Sequence, residues 1–132
     1  MLHPDQFRVN EAWIAFHMSE TPIHTLRDGD FLCIALMDAA SCYIHGSVMA
    51  PVGTPEPSAA HVRGLFKKGW TANRRYPTAL YLPDGRFPRV FPTEGRRQGI
   101  TVVVVQESEL LTFIGEARQG FNEYMQGGSS IR

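Results

Sequence analysis

Through the middle of the chain, aromatic and basic side chains alternate in a way suited to a polyanion. Trp70, Tyr76, Tyr81 and Phe87 are interleaved with Arg74, Arg75 and Arg86. Such a composition can stack bases on rings while guanidinium groups pair with phosphates. Between Arg63 and Arg97 stand nine of the thirteen basic residues, Arg63, Lys67, Lys68, Arg74, Arg75, Arg86, Arg89, Arg96 and Arg97, against two acids, Asp84 and Glu94. That segment therefore carries +7, and the rest, with four basic residues against eleven acids, carries −7, although the net charge is zero. The asymmetry attracts phosphate only if these residues share a face; otherwise it is a solvated helix surface. The nucleic-acid-binding candidates are Arg63, Lys67, Lys68, Arg74, Arg75, Arg86 and Arg96.

Two aspartates stand where apolar runs end. Asp38 follows Phe31 to Met37, and Asp84 follows the run ending Leu80-Tyr81-Leu82-Pro83. Each also has a purely structural use, since aspartate in a turn bonds nearby backbone and Asp84 precedes Gly85 in a common turn pair. Other chemistries lack their motifs. The five histidines show no HxH or HxxxH spacing and the two cysteines lie nine apart, which excludes a zinc motif. Ser41 and Cys42 with His45 or His61 lack any nucleophile elbow. No glycine-rich phosphate loop precedes a helix. Cys33 and Cys42 suit small buried hydrophobes of a cytoplasmic, reducing setting.

The elements that must position these residues follow from periodicity. Phe7 to Met18 alternates partially and predicts a strand. Asp28-Gly29-Asp30 predicts a turn, and the unbroken apolar run Phe31 to Met37 predicts a central strand covered on both faces. Cys42 to Val52 completes a hairpin, with Gly46 marking a bulge or a close approach of backbone. Ser58 is a candidate N-cap for a helix whose apolar stripe is Ala59, Val62, Phe66 and Trp70, weakened by Gly64 and Gly69. Thr78 to Leu82 predicts a short strand. Pro92 predicts that Phe87 to Gln98 is broken or distorted. Ile100 to Val105 is the strongest strand signal, being β-branched at every position. Ser108 is placed to cap a last helix with a buried face of Leu110, Phe113, Ile114, Ala117, Phe121 and Tyr124. The first six residues and 127–132 are expected to fray.

The expected fold is one α/β domain, bordering on α+β, spanning 1–132: a single mixed sheet of about five strands, an N-terminal antiparallel hairpin and then α/β units. No apolar run reaches the ~20 residues of a bilayer-spanning helix, and the N-terminus has no signal-peptide core, so a cytoplasmic location without membrane association is expected.

This element order resembles ribonuclease H-like domains, and two strings sharpen the likeness. Ile34 to Gly46, an apolar strand delivering Asp38 and a second strand returning to a glycine, looks like the opening of an integrase or transposase core. Leu80 to Phe87 is similar to the second signature, a strand ending in Asp-Gly with an aromatic soon after, and Gln98-Gly99-Ile100 resembles the turn into the next strand. The resemblance implies that Asp38 and Asp84 supply two catalytic carboxylates and the last helix a third, Glu116 or alternatively Glu123. In that family, carboxylates at neighbouring strand ends hold two Mg²⁺ or Mn²⁺ ions for phosphodiester chemistry. Asp38 and Asp84 would be the metal ligands, while neither Glu116 nor Glu123 lies in a family motif.

The functional expectation is a nucleic-acid-associated ribonuclease H-like domain, either a divergent metal-dependent nuclease or phosphodiester transferase, or a non-catalytic relative that binds. One alternative is a protein-interaction or regulatory module, with the strand bearing Trp13 and Phe16 as an exposed edge or a homodimer contact. Another is a small-molecule-binding domain with an apolar pocket between sheet and helices.

Overall fold

A computed structural model describes every residue except Thr25, Asp28, Pro55, Ile131 and Arg132, with side chains described through Met125. The strands are β1 (Ala12–His17), β2 (Ile23–His24), β3 (Asp30–Asp38), β4 (Ile44–Pro51), β5 (Ala79–Pro83) and β6 (Thr101–Val105). The helices are α1 (Ala59–Asn73), α2 (Val90–Arg97) and α3 (Leu111–Ser130), with short 3-10 turns at Pro4–Gln6 and Glu107–Leu110.

All six residues of β1 are buried. The cause is its place at the centre of the sheet, antiparallel to β3 with Trp13 beside Asp38 and His17 beside Ile34, and parallel to β5. The strand expected as an exposed edge is therefore the middle one, and Trp13 and Phe16 are core residues. β3 pairs also with β4, completing the expected hairpin, and with the short β2; β5 pairs in parallel with β6. Of the turn before β3, Asp28 lies outside the described residues, and Gly29 takes φ +82°.

The sheet is covered on both faces. One face packs Trp13, Ala15, Ile34, Leu36, Leu80 and Leu82 against Val62, Leu65 and Phe66 of α1 and Phe91 of α2. The other packs Ile14, Phe16, Cys33, Ala35 and Met37 against Phe113 and Ile114 of α3. Alternation along each strand divides these two sets, as a two-faced sheet requires. Tyr124, expected on the buried face of α3, is instead 76% exposed, because the helix extends beyond the sheet residues it packs against.

Three local details differ from expectation for clear reasons. Gly69 weakens α1 only in isolation. A Cβ there would sit 2.5 Å from Trp13 Cζ2, so the bare backbone is what admits the indole. Pro92 does not break its helix, because α2 begins at Val90 and the proline falls in the first turn, where no intrahelical N–H is needed. Ser58 caps α1 as expected, accepting from the His61 N–H at 3.2 Å, but Ser108 lies inside the 3-10 turn rather than at the start of α3.

Candidate functional site

In the parallel part of the sheet, chemistry belongs outside the carboxyl ends of the strands, where the backbone turns away and leaves side chains converging. Here those ends belong to β1, β5 and β6. Ile14 pairs with Tyr81, so extending the register three residues sets His17 abreast of Asp84. Asp84 N–H donates to Val105 O at 2.7 Å, which ties it to the end of β6.

A cleft of about 330 Å³ opens here, lined by His17, Ser19, Glu20, Leu32, Arg86, Glu107, Leu111 and Arg118. Arg118, on α3 and only 7% exposed, is fully engaged. Its Nε donates to His17 O at 3.0 Å, Nη2 to Glu107 at 2.7 Å and Nη1 to Glu20 at 3.4 Å. Arg86 approaches the other Glu107 oxygen at 3.7 Å. Burial would raise the Glu107 carboxyl, but the Arg118 hydrogen bond, with the charges of Arg118 and Arg86, outweighs it and holds the carboxyl below the usual range. Burial, then the charges of Arg86 and Arg118, lower the His17 imidazole to about 4. At neutral pH His17 is uncharged.

The expected catalytic set does not assemble. Asp38 pairs with the Trp13 end of β1 and Asp84 stands at the His17 end, four residues or about 13 Å apart along the strand direction. The two carboxylates cannot share an ion. Asp38 instead closes the amino end of β1: it is 2% exposed and accepts from Asn10 N–H at 2.7 Å, Ser41 N–H at 2.9 Å and Ser41 Oγ–H at 2.7 Å. The same Asn10 accepts from Trp13 Nε1–H at 2.8 Å and donates to Arg75 O at 3.1 Å. Glu116 is exposed and its charge is felt by the Cys42 thiol, at the Asp38 end. It lies two residues, some 200° of helix rotation, from Arg118. Glu123 is exposed too and accepts from Gln119 on its own helix at 3.1 Å.

The cleft therefore has a neutral histidine at the end of β1, a carboxylate, Glu107, held by two guanidinium groups, and an arginine on the last helix, while Asp84 lines a separate groove with Leu82, Phe87 and Arg96. Among the described residues no three His, Cys, Asp or Glu side chains are grouped to hold a metal ion. Glu107 is occupied by two guanidinium groups whose positive charge opposes a cation, so these residues do not fit Mg²⁺ or Mn²⁺. Sequence reasoning missed His17, Glu107 and Arg118. The available signal was the carboxyl-end rule applied to Ala12–His17, once that unbroken buried run is taken as the strand beside β5.

The basic candidates divide by location. Arg63, Lys67 and Lys68 lie on α1, Arg74 follows it with a left-handed φ of 59°, and Arg96 is on α2. Arg63, Lys67 and Arg74 fall on one stripe with Trp70, spaced four, three and four apart, and the Arg74 guanidinium lies 5.4 Å from the Trp70 ring centroid. Lys68 points elsewhere, over Gly46 of β4. Glu94, the one acid within α1 and α2, is buried and held by Arg63 at 3.0 Å and Arg97 at 3.6 Å. Every exposed charged side chain of this layer is thus positive. Arg75 lies apart, lining a concavity at the amino ends of β1 and β5 with Glu11 and Tyr76, and Arg86 lies in the cleft at the carboxyl ends.

A central strand antiparallel to a hairpin partner on one side and parallel to two crossover strands on the other, with helices on both faces, is the ribonuclease H-like fold. Retroviral integrase catalytic cores share it. The catalytic core domain of BIV integrase superposes with a TM-score of 0.57 at 10% identity, covering 93% of this chain and 74% of that one. The HTLV-2 integrase catalytic core domain, in a dimeric form in complex with magnesium, gives 0.50 at 11% identity, covering 83% and 82%. The simian T-cell lymphotropic virus intasome in complex with a PP2A regulatory subunit gives 0.51 at 9% identity, with 89% of this chain matching 37% of that one. No protein-family model and no curated protein matches the sequence. Among the described residues no helix is long and apolar enough to cross a membrane.

Proposed function

We propose that this chain is a nucleic-acid-associated ribonuclease H-like domain that holds its polyanion on the α1–α2 face and performs no two-metal phosphodiester chemistry at the β1–β5 cleft. The observation that carries the reading is the one-signed exposed charge of that face, with its only acid buried and neutralised by Arg63 and Arg97. A surface of this kind gains affinity for phosphates by releasing counterions, largely without regard to sequence. Trp70, half-buried beside Arg74, adds a ring edge next to the cations. The silent cleft is supported by its donor set, in which Arg118 and Arg86 hold Glu107 and His17 is uncharged.

The test is fluorescence anisotropy of short labelled DNA and RNA across a salt series, with the wild type and a Lys67→Glu/Arg74→Glu variant. The wild type should bind with a steep salt dependence, and the variant's slope should be smaller by about two, roughly one for each phosphate that is no longer neutralised. Equal binding by the two proteins, or none by either, would exclude the α1–α2 face as the binding surface.

A further inference from the structure

We propose that β6 is a self-pairing edge, through which two copies of this chain join their sheets antiparallel about a twofold axis at Val103. The sheet ends at β6 on one side, and among the described residues no strand pairs with its outer edge. Thr101 N–H donates to Thr78 O at 3.0 Å and Val105 O accepts from Asp84 N–H at 2.7 Å. Polar groups alternate sides along a strand, so Thr101, Val103 and Val105 turn theirs to β5, and Val102 and Val104 turn theirs outward. An antiparallel pair centred on Val103 sets Val102 of one copy opposite Val104 of the other. All four outward groups of each copy are then used, in four interchain hydrogen bonds.

Three further features select this occupant. The devices that blunt natural edges, lysine, proline or a bulge, are absent from Thr101–Val105, whereas β4 at the opposite side ends in Pro51 and pairs through a register shift. Val104 is 55% exposed and lines a groove of about 320 Å³ whose apolar floor of Leu82, Phe87, Pro92 and Val102 is bordered by Asp84 and Arg96, and which the second copy's valines would cover. Of the exposed charged side chains that line this groove, Arg96 precedes the strand and Asp84 stands at its far end, its N–H bonded to Val105 O. Antiparallel pairing brings the basic flank of each copy toward the acidic flank of the other, and parallel pairing would oppose like charges.

A five-residue strand and one groove give a small interface, below about 1,200 Å², so the dimer is weak. Sedimentation equilibrium from about 10 µM to about 1 mM covers the relevant range of affinities. The wild type should shift from monomer to dimer. Val104→Pro removes an outward N–H while sparing the β5 ladder, and should raise the dimer dissociation constant at least about tenfold. Val104→Lys serves as the second variant, with circular dichroism reporting that each is folded; it should weaken the dimer as strongly. A wild type that stays monomeric at the highest concentration would overturn the proposal, as would dimerisation that neither variant alters.

Discussion

Acidification should unfold this protein partly through one side chain, His17. Its folded value of about 4 lies well below the ordinary 6.5 of histidine. Below pH 6.5 the unfolded chain therefore takes up a proton that the folded chain refuses until near pH 4. The unfolded state binds more protons across that window, so stability is full above pH 6.5 and declines as the pH falls toward 4. Between pH 7.5 and 4.5 the loss from this group is about 2.5 kcal/mol, since each unit of difference is worth about 1.4. With a slope of about 2 kcal/mol per molar for a domain this size, the urea midpoint should fall by roughly 1 M. Urea melts at several pH values, with wild type and His17→Gln in parallel, isolate the effect from the His45 imidazole, which burial also lowers and both proteins share. The variant should lose that part of the acid slope. Identical slopes, or an NMR titration midpoint for His17 near 6.5, would refute the placement of an uncharged histidine between two arginines.

Asp38→Ala should cost about 2–4 kcal/mol, because three donors around a buried carboxylate lose their acceptor; denaturant melts check this. Glu56→Ala should cost about 2–3 kcal/mol. Its buried carboxylate accepts from the backbone N–H groups of Arg89, Val90 and Phe91, the open start of α2, and amide exchange should rise selectively in α2. Gly69→Ala should destabilise by about 1–3 kcal/mol by overpacking, read as a lower melting temperature with altered Trp13 fluorescence.

Much of the fold was legible because periodicity and punctuation are local. The apolar run Phe31–Met37, the β-branched run before Gln106 and the Ser58 cap each report their own element without knowledge of the rest. Strand order is not local. Asp38 ends an apolar strand just as a family aspartate would, but it does so on β3, which runs antiparallel to β1 and so delivers it to the wrong end of the sheet. The correct neighbour of Asp84 was visible only as the terminal residue of Ala12–His17, a run whose uniform burial appears once its place between β3 and β5 is known. Glu56 capping α2, and Arg118 reaching His17 O from 101 residues away, are contacts between distant segments that no window of sequence contains. Of the basic stretch, the α1 and α2 residues did share a layer, since helical spacing fixes a stripe, while Arg75 and Arg86 fell at opposite ends of β5 because they flank it.

Metal-independent binding of nucleic acid is checked by anisotropy of a labelled duplex with the wild-type protein, in EDTA and again in Mg²⁺, from about 50 mM to about 300 mM salt. Binding is expected in EDTA, with a dissociation constant that magnesium does not tighten and a linear fall of log affinity with log salt at a slope of several units. Negligible binding at the lowest salt, or binding that appears only with magnesium, would contradict it.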